Sequence, residues 1–233
     1  MYQNIYDQNP KRFYTIKIDE NNNNKRIEQK GVREYLLCND CEVILNRFEI
    51  YASETIYAKN YQNKATKKRA SENFKRNIFL YEFENFDYKK FKLFLMSLCW
   101  RLVISKRFET ISIGEHEEKL RKAILTENPL EYYQYGCLIQ SILYKKGEFA
   151  GGFILNPFST NLKGTDFLHI LIDGFMYSFM ISDTNKIPDI SNNFVNKNGE
   201  MNIIGRLIWD DKDLFDKLRL AYNFYNDKIK KIK

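Results

Sequence analysis

Apolar residues recur at three- and four-residue steps in several stretches of the chain, and each such stretch predicts a helix with a buried face. The first begins at a cysteine turn, with its N-cap at Asn39 or Asp40, and runs for about five turns. Its inner stripe consists of Ile44, Leu45, Phe48, Tyr51, Ala52 and Ile56. Residues 88–105, which follow Asp87 as N-cap, are apolar on nearly every side, so this helix is expected in the interior.

Two more helices and a set of strands follow from the same pattern. Residues 115–126 predict a charged helix with Leu120, Ala123 and Ile124 inward, and a final helix runs from Asp210 or Asp211 to residue 229. Alternation or short apolar runs predict strands at residues 12–18, 32–37, 136–144, 152–156 and 201–204. The clearest local signal is Asp173-Gly174 between residues 167–172 and 175–181, which is typical of a hairpin with a type I′ turn.

The pattern therefore predicts an α+β fold, with long helices around a cysteine turn, then an antiparallel β-meander with a C-terminal helix. We expect a helical region at residues 1–128 and a sheet region at residues 129–233, and the two regions can share one core. With 233 residues, 44% of them hydrophobic, the chain has ample material for that core.

The composition of the chain indicates in which compartment the protein lies and whether its cysteines form disulfides. The sequence shows no secretory leader and no apolar segment of about 18 residues, which predicts a cytoplasmic protein without a membrane span. Four cysteines in that compartment should stay reduced, so a disulfide framework is not expected.

Cys38 and Cys41 are the main candidate for chemistry, because their C-x2-C spacing lets two thiolates converge on one tetrahedral ion. Zinc is the expected cofactor, with an incomplete ligand set, since residues 1–37 contain neither Cys nor His. A protein partner, a second copy or a distant His would have to complete the site. A redox pair is the alternative, but a thioredoxin-type motif follows a strand in a βαβ unit, which the following segments do not show.

The most basic stretch lies between residues 60 and 77, in a chain of net charge +7. Its cations are Lys64, Lys67, Lys68, Arg69, Lys75 and Arg76. One interpretation is the solvated face of a helix extension, since charge runs commonly lie on surfaces. The other is an arm that contacts nucleic-acid phosphates, with Tyr61 and Phe74 as stacking groups.

Four further side chains of reactive or charged types are expected to have structural roles only. Cys99 is expected in the core, and Arg101 is expected in a structural ion pair. His116 is expected on an exposed first helical turn, and His169 is expected to be packed and hydrogen-bonded within a strand.

The segment LLCNDCEVIL at residues 36–45, with Glu49-x-Tyr51 and the later SLCWR at residues 97–101, resembles a group of bacterial proteins related to HNH endonucleases. The resemblance implies a treble-clef zinc site, in which an upstream C-x2-C joins the pair at the helix start. It also implies a metal-dependent nuclease with a histidine base in a segment before that helix. The upstream cysteines and the histidine segment are both missing from this chain.

Three functions stay open at this point. The first is a nucleic-acid-binding, degenerate or split relative of HNH nucleases, in a bacterial defence setting and without nuclease activity of its own. The second is a non-catalytic protein-interaction subunit of a defence or toxin–antitoxin assembly. The third is an enzyme that uses His169 with Asp166 or Asp173.

Overall fold

A computed structural model of the protein describes residues 13–16, 25–28, 34–57, 66–73, 78–108, 111–145, 148–149 and 153–207. Three α-helices lie in this part of the chain: α1 (Asn39–Ala52), α2 (Tyr88–Ile104) and α3 (His116–Leu125). A π-helical segment, Ser53–Tyr57, continues α1, and short 3-10 segments occupy Lys106–Phe108 and Asp189–Asn193.

The strands form one mixed sheet of ten strands in the described residues. They are β1 (Phe13–Ile16), β2 (Lys25–Glu28), β3 (Thr66–Asn73), β4 (Ile78–Glu84), β5 (Cys137–Lys145), β6 (Glu148–Phe149), β7 (Phe153–Leu162), β8 (Thr165–Ile172), β9 (Phe175–Met180) and β10 (Met201–Leu207). Their order across the sheet is β2-β1-β7-β8-β9-β5-β10-β4-β3, with β6 beside β5. Pairing is antiparallel except between β1 and β7 and between β5 and β10.

The main core lies between the helices and one face of the sheet. It joins α1 and α2 to alternate residues of the central strands, such as Leu168 and Ile170 on β8 and Tyr177 on β9. Because side chains alternate between the faces of a strand, Phe167 and Met180 belong to the other face, where they pack on Phe194. The sheet thus contains strands from both halves of the chain, and the core does too.

Several predictions are confirmed. The fold is α+β, α2 follows Asp87 as its N-cap, and that carboxylate accepts the Lys90 amide. The α1 stripe and the inner face of α3 are buried or pack against the core. Asp173 and Gly174 have φ angles of 50° and 82°, as a type I′ turn between β8 and β9 requires.

Other predictions are wrong in detail. The N-cap of α1 is Cys38, one residue before Asn39, and the α-helical part is only 14 residues long because π turns replace its end. Residues 34–37 form no strand. The basic stretch is not a helix extension where it is described, since Thr66–Asn73 pairs with β4 as a strand. The meander is antiparallel through β7, β8, β9 and β5, but β10 pairs with β5 in parallel. The predicted C-terminal helix lies outside the described residues.

Among the described residues, none of the helices combines the length and the apolar character needed to cross a bilayer.

Candidate functional site

The cysteine pair stands at the start of α1. Cys38 has extended backbone angles and is exposed, whereas Cys41, in the first helical turn, is partly covered. The Glu42 amide donates to the Cys38 carbonyl at 3.0 Å, which closes that first turn directly after the first cysteine. All four cysteines of the chain carry free thiols.

Two polar contacts fix this turn against α2. The carboxylate of Glu34 accepts from the Ser105 hydroxyl at 2.6 Å and from the Lys106 amide at 2.9 Å, so the segment before the cysteines is held at the end of α2. More than two turns further along α1, Glu49 forms an ion pair with Arg101, and both side chains are about one quarter exposed (23% and 25%). The prediction of a structural ion pair for Arg101 is confirmed.

The two thiols differ in their electrostatics. The pKa of Cys38 is lowered, first because the Cys41 backbone amide faces its sulfur and next because the Cys41 thiol donates to it. The pKa of Cys41 is raised, first because its thiol proton is held by Cys38 and then because of burial. Arg121 of α3 is near enough to oppose that rise. Cys38 is therefore the thiol that ionises more readily, and Cys41 is its proton donor.

A cleft of about 570 Å³ opens beside the pair, between the segment before α1, α1 itself and the end of α2. Leu37 and Asn39, the two neighbours of Cys38, belong to its wall. Its other walls combine leucine side chains with three carboxylates (Glu34, Glu42 and Glu49) and one cation, Arg101. The cleft is thus acidic, although the whole chain is basic.

Zinc at this pair would need further donors. Within the described residues, no three Cys, His, Asp or Glu side chains are grouped so that they could hold a metal ion. Cys99 and Cys137 are buried in the core, as predicted for Cys99. Cys38 and Cys41 supply two thiolates of the four ligands that a structural zinc requires, and the prediction that a partner or second copy completes the set stays a prediction.

The described part of the basic stretch is β3, which ends the strand order opposite to β2 within the described residues. Lys67 is opposite Phe83 and Arg69 is opposite Glu82, while a bulge at this point leaves Lys68 as the extra residue between them. Lys64, Lys75 and Arg76 lie outside the described residues. The bulge therefore falls within a run of three consecutive cations on this strand.

His169 is packed within the sheet, as predicted. Its Nδ1 and Nε2 lie 2.8 Å from the Ser178 hydroxyl and 2.7 Å from the Thr160 hydroxyl, and its ring stacks on Phe158. Asp166 is an odd number of residues away on the same strand, and so it belongs to the opposite face.

The other aspartate proposed for His169 chemistry is no better placed. Asp173 begins the β8–β9 turn, about 13 Å further along the strand direction. The pairs predicted for an enzyme based on His169 are therefore not brought together. His116 is only partly exposed, because its Nδ1 lies 2.9 Å from the Tyr135 hydroxyl, so the prediction of a bare surface residue is wrong.

Sequence reasoning missed Lys92, whose side chain is buried in α2. Its ammonium donates to the carbonyls of Tyr132, Gln134 and Tyr135, at 3.3, 2.6 and 2.9 Å. The sequence contained the necessary information, because a lysine in a helix without a polar face must find hydrogen-bond acceptors inside the protein. Lys92 secures the turn that leads into β5.

Neither a protein-family profile, nor a curated protein, nor a solved structure matches this chain.

Proposed function

We propose that the protein binds nucleic acid through the basic edge strand β3, as a degenerate or split relative of HNH nucleases that does not cut on its own. The observation that supports this proposal is the position of Lys67, Lys68 and Arg69 at a bulge on the terminal strand of the sheet. A bulge bends and twists its strand, which changes the direction of neighbouring side chains. Consecutive cations on a terminal strand suit the phosphate backbone of a nucleic acid, which can be bound without any need to read bases.

The same features have a purely structural explanation, which the experiment must separate from binding. Lysines and bulges on an edge strand prevent that edge from pairing with a strand of another molecule. In that case, replacing the cations would cause self-association and would leave nucleic-acid binding unchanged.

The test is a salt titration of binding to a random DNA duplex, for the wild type and for Lys67→Ala/Lys68→Ala/Arg69→Ala. Each phosphate neutralised by a cation releases condensed counterions, so the logarithmic slope of affinity against salt is about −0.9 per contact. We expect the triple variant to flatten the slope by about two to three units. Its mass by light scattering reports self-association in the same samples.

A control variant removes the same charge elsewhere. Lys122, Lys186 and Lys197 are exposed and lie outside β3, so their triple replacement by Ala lowers the net charge equally. This control should retain the wild-type slope. Equal flattening by both variants, or an unchanged slope in the β3 variant, contradicts the proposal.

A second candidate function, the protein-interaction subunit, is favoured by the cleft beside the cysteines. Val43 in its wall is exposed, and Ile50 extends the same α1 face seven residues later, where it is exposed as well. Apolar walls with an excess of carboxylates suit a segment that combines apolar side chains with Lys or Arg. In a selection from displayed peptides, basic-apolar sequences should be enriched on the wild type and lost on Val43→Asp. Enrichment that is the same on both would exclude the cleft as the binding surface.

A further inference from the structure

We propose that Cys38 and Cys41 form a thiol–disulfide exchange site, in which Cys38 attacks a substrate disulfide and Cys41 resolves the mixed disulfide. Nothing in the nucleic-acid proposal requires this activity, and the two proposals are independent. The two thiols have the position, the spacing and the unequal exposure that this activity requires.

The position is the start of a helix that continues for 14 residues. Unsatisfied backbone amides and the helix dipole favour negative charge at that point, and a thiolate is the form of cysteine that attacks disulfides. The strand that precedes such a motif in thioredoxin-like proteins is not what activates the sulfur. The absence of a strand at residues 34–37 therefore does not weaken the redox interpretation.

The spacing allows the disulfide to close with little movement. Side chains three residues apart near a helix start have Cβ atoms about 5–6 Å apart, and a disulfide needs about 3.5–4.5 Å. Cys38 is the N-cap, with φ −75° and ψ 162°, so its backbone is not fixed by helical geometry. Rotation at this residue is therefore the movement that would form the disulfide without unwinding residues 39–52.

The unequal exposure assigns the two roles. Cys38 is exposed and can meet a disulfide from solvent, whereas Cys41 is partly covered by the first helical turn. The cleft wall begins at the two neighbours of Cys38, so a peptide that carries the substrate disulfide has an adjacent surface on which to lie.

The reaction transfers two electrons from the protein to the substrate. The Cys38 thiolate attacks one sulfur of a disulfide, forms the mixed disulfide and expels the other sulfur as a thiolate. The Cys41 thiol then loses its proton to that leaving thiolate or to solvent. Its sulfur attacks the Cys38 sulfur, which breaks the bond between Cys38 and the substrate and expels the second substrate sulfur as a thiolate that takes a proton from solvent. The products are the Cys38–Cys41 disulfide and two substrate thiols, and an external thiol such as glutathione reverses the sequence.

The experiment exposes the full chain to oxidised glutathione and maps every cysteine by alkylation and peptide mass, with and without a zinc chelator. We expect a reversible Cys38–Cys41 disulfide in the wild type. Cys41→Ser should trap glutathione on Cys38, and Cys38→Ser should acquire an adduct on Cys41 at least about tenfold more slowly. Cys99 and Cys137 serve as internal controls, because buried thiols should react only in denaturant.

Two results would overturn the proposal. One is equal adduct rates at Cys38 and Cys41 in the two single variants. The other is a pair that stays unreactive until the chelator removes a stoichiometric amount of zinc, which would identify it as a metal site. Circular dichroism of each variant tests whether the fold is intact, which separates a loss of reactivity from unfolding.

Discussion

Lys92 offers the sharpest test of the energetics, through the change Lys92→Met. Methionine keeps the length and volume of the side chain but has no donor for the carbonyls of Tyr132, Gln134 and Tyr135. Burial lowers the pKa of Lys92 from 10.5 to about 7. The observable that isolates this effect is the pH dependence of the free energy of unfolding.

The number of protons bound by the folded and unfolded states decides whether the free energy of unfolding rises or falls with pH. Unfolded Lys92 keeps its proton up to about pH 10.5, whereas the folded side chain loses it near pH 7, so between these values the unfolded state binds more protons. The contribution of Lys92 to the free energy of unfolding of the wild type must therefore rise with pH across that window. The difference between the two pKa values corresponds to about 5 kcal/mol, which is the most that the ionisation of Lys92 can add to the free energy of unfolding.

The three carbonyl acceptors reduce that gain. An ammonium supplies three donors and a neutral amine only two, so the hydrogen bonds favour the charged form and oppose the effect of burial. We expect the free energy of unfolding of the wild type to rise by about 2–4 kcal/mol relative to that of Lys92→Met, because the buried thiols that also titrate near this window are present in both proteins.

The assay is urea unfolding, followed by circular dichroism in steps between about pH 7 and 10, because denaturant midpoints and slopes give the free energy directly. Lys90→Met is the matched control on the same helix. Lys90 is exposed and its pKa is raised by Asp87, so its contribution is lost only as the pH rises through that higher pKa, above this window. Parallel profiles for the wild type and Lys92→Met would refute the reasoning.

Three further predictions concern other parts of the molecule. Gly199→Ala should destabilise the fold by about 2 kcal/mol or more in thermal unfolding, because φ is +75° and a Cβ would collide with the Phe86 carbonyl; wild-type stability in this variant would contradict it. A double-mutant cycle with Glu49→Gln and Arg101→Gln should give a coupling of about 1 kcal/mol that decreases in high salt, whereas additive effects would mean that the ion pair contributes nothing. The purified protein should not cleave DNA or RNA with magnesium, manganese or zinc, since the histidine that an HNH mechanism needs before the cysteine helix is missing; cleavage that depends on either of its two histidines would overturn this.

Local signals predicted the elements whose formation depends on local chemistry. The Asp173-Gly174 turn defined the β8–β9 hairpin, because few residues adopt positive φ twice in succession. The capping carboxylate of Asp87 and the apolar run after it defined α2. Burial of Cys99 followed from its place in that run.

Elements that depend on distant partners were not predictable in the same way. β3 has a polar sequence without alternation and is a strand because its backbone pairs with β4. The parallel pairing of β10 with β5 depends on packing across the whole sheet rather than on any turn. At the candidate site, the spacing of Cys38 and Cys41 was visible, but the unequal exposure that separates their roles became apparent only in three dimensions.

The place of β10 in the sheet bears on how the protein is made. This strand lies between β4 and β5 and joins the two sets of strands on either side, although it is the last described strand along the chain. A ribosome adds about 5–20 residues per second, so both neighbours of β10 wait several seconds for it with unpaired edges. During that interval the nascent chain presents open backbone donors and acceptors, and we expect it to depend on chaperones more than a protein whose strands pair in order of synthesis.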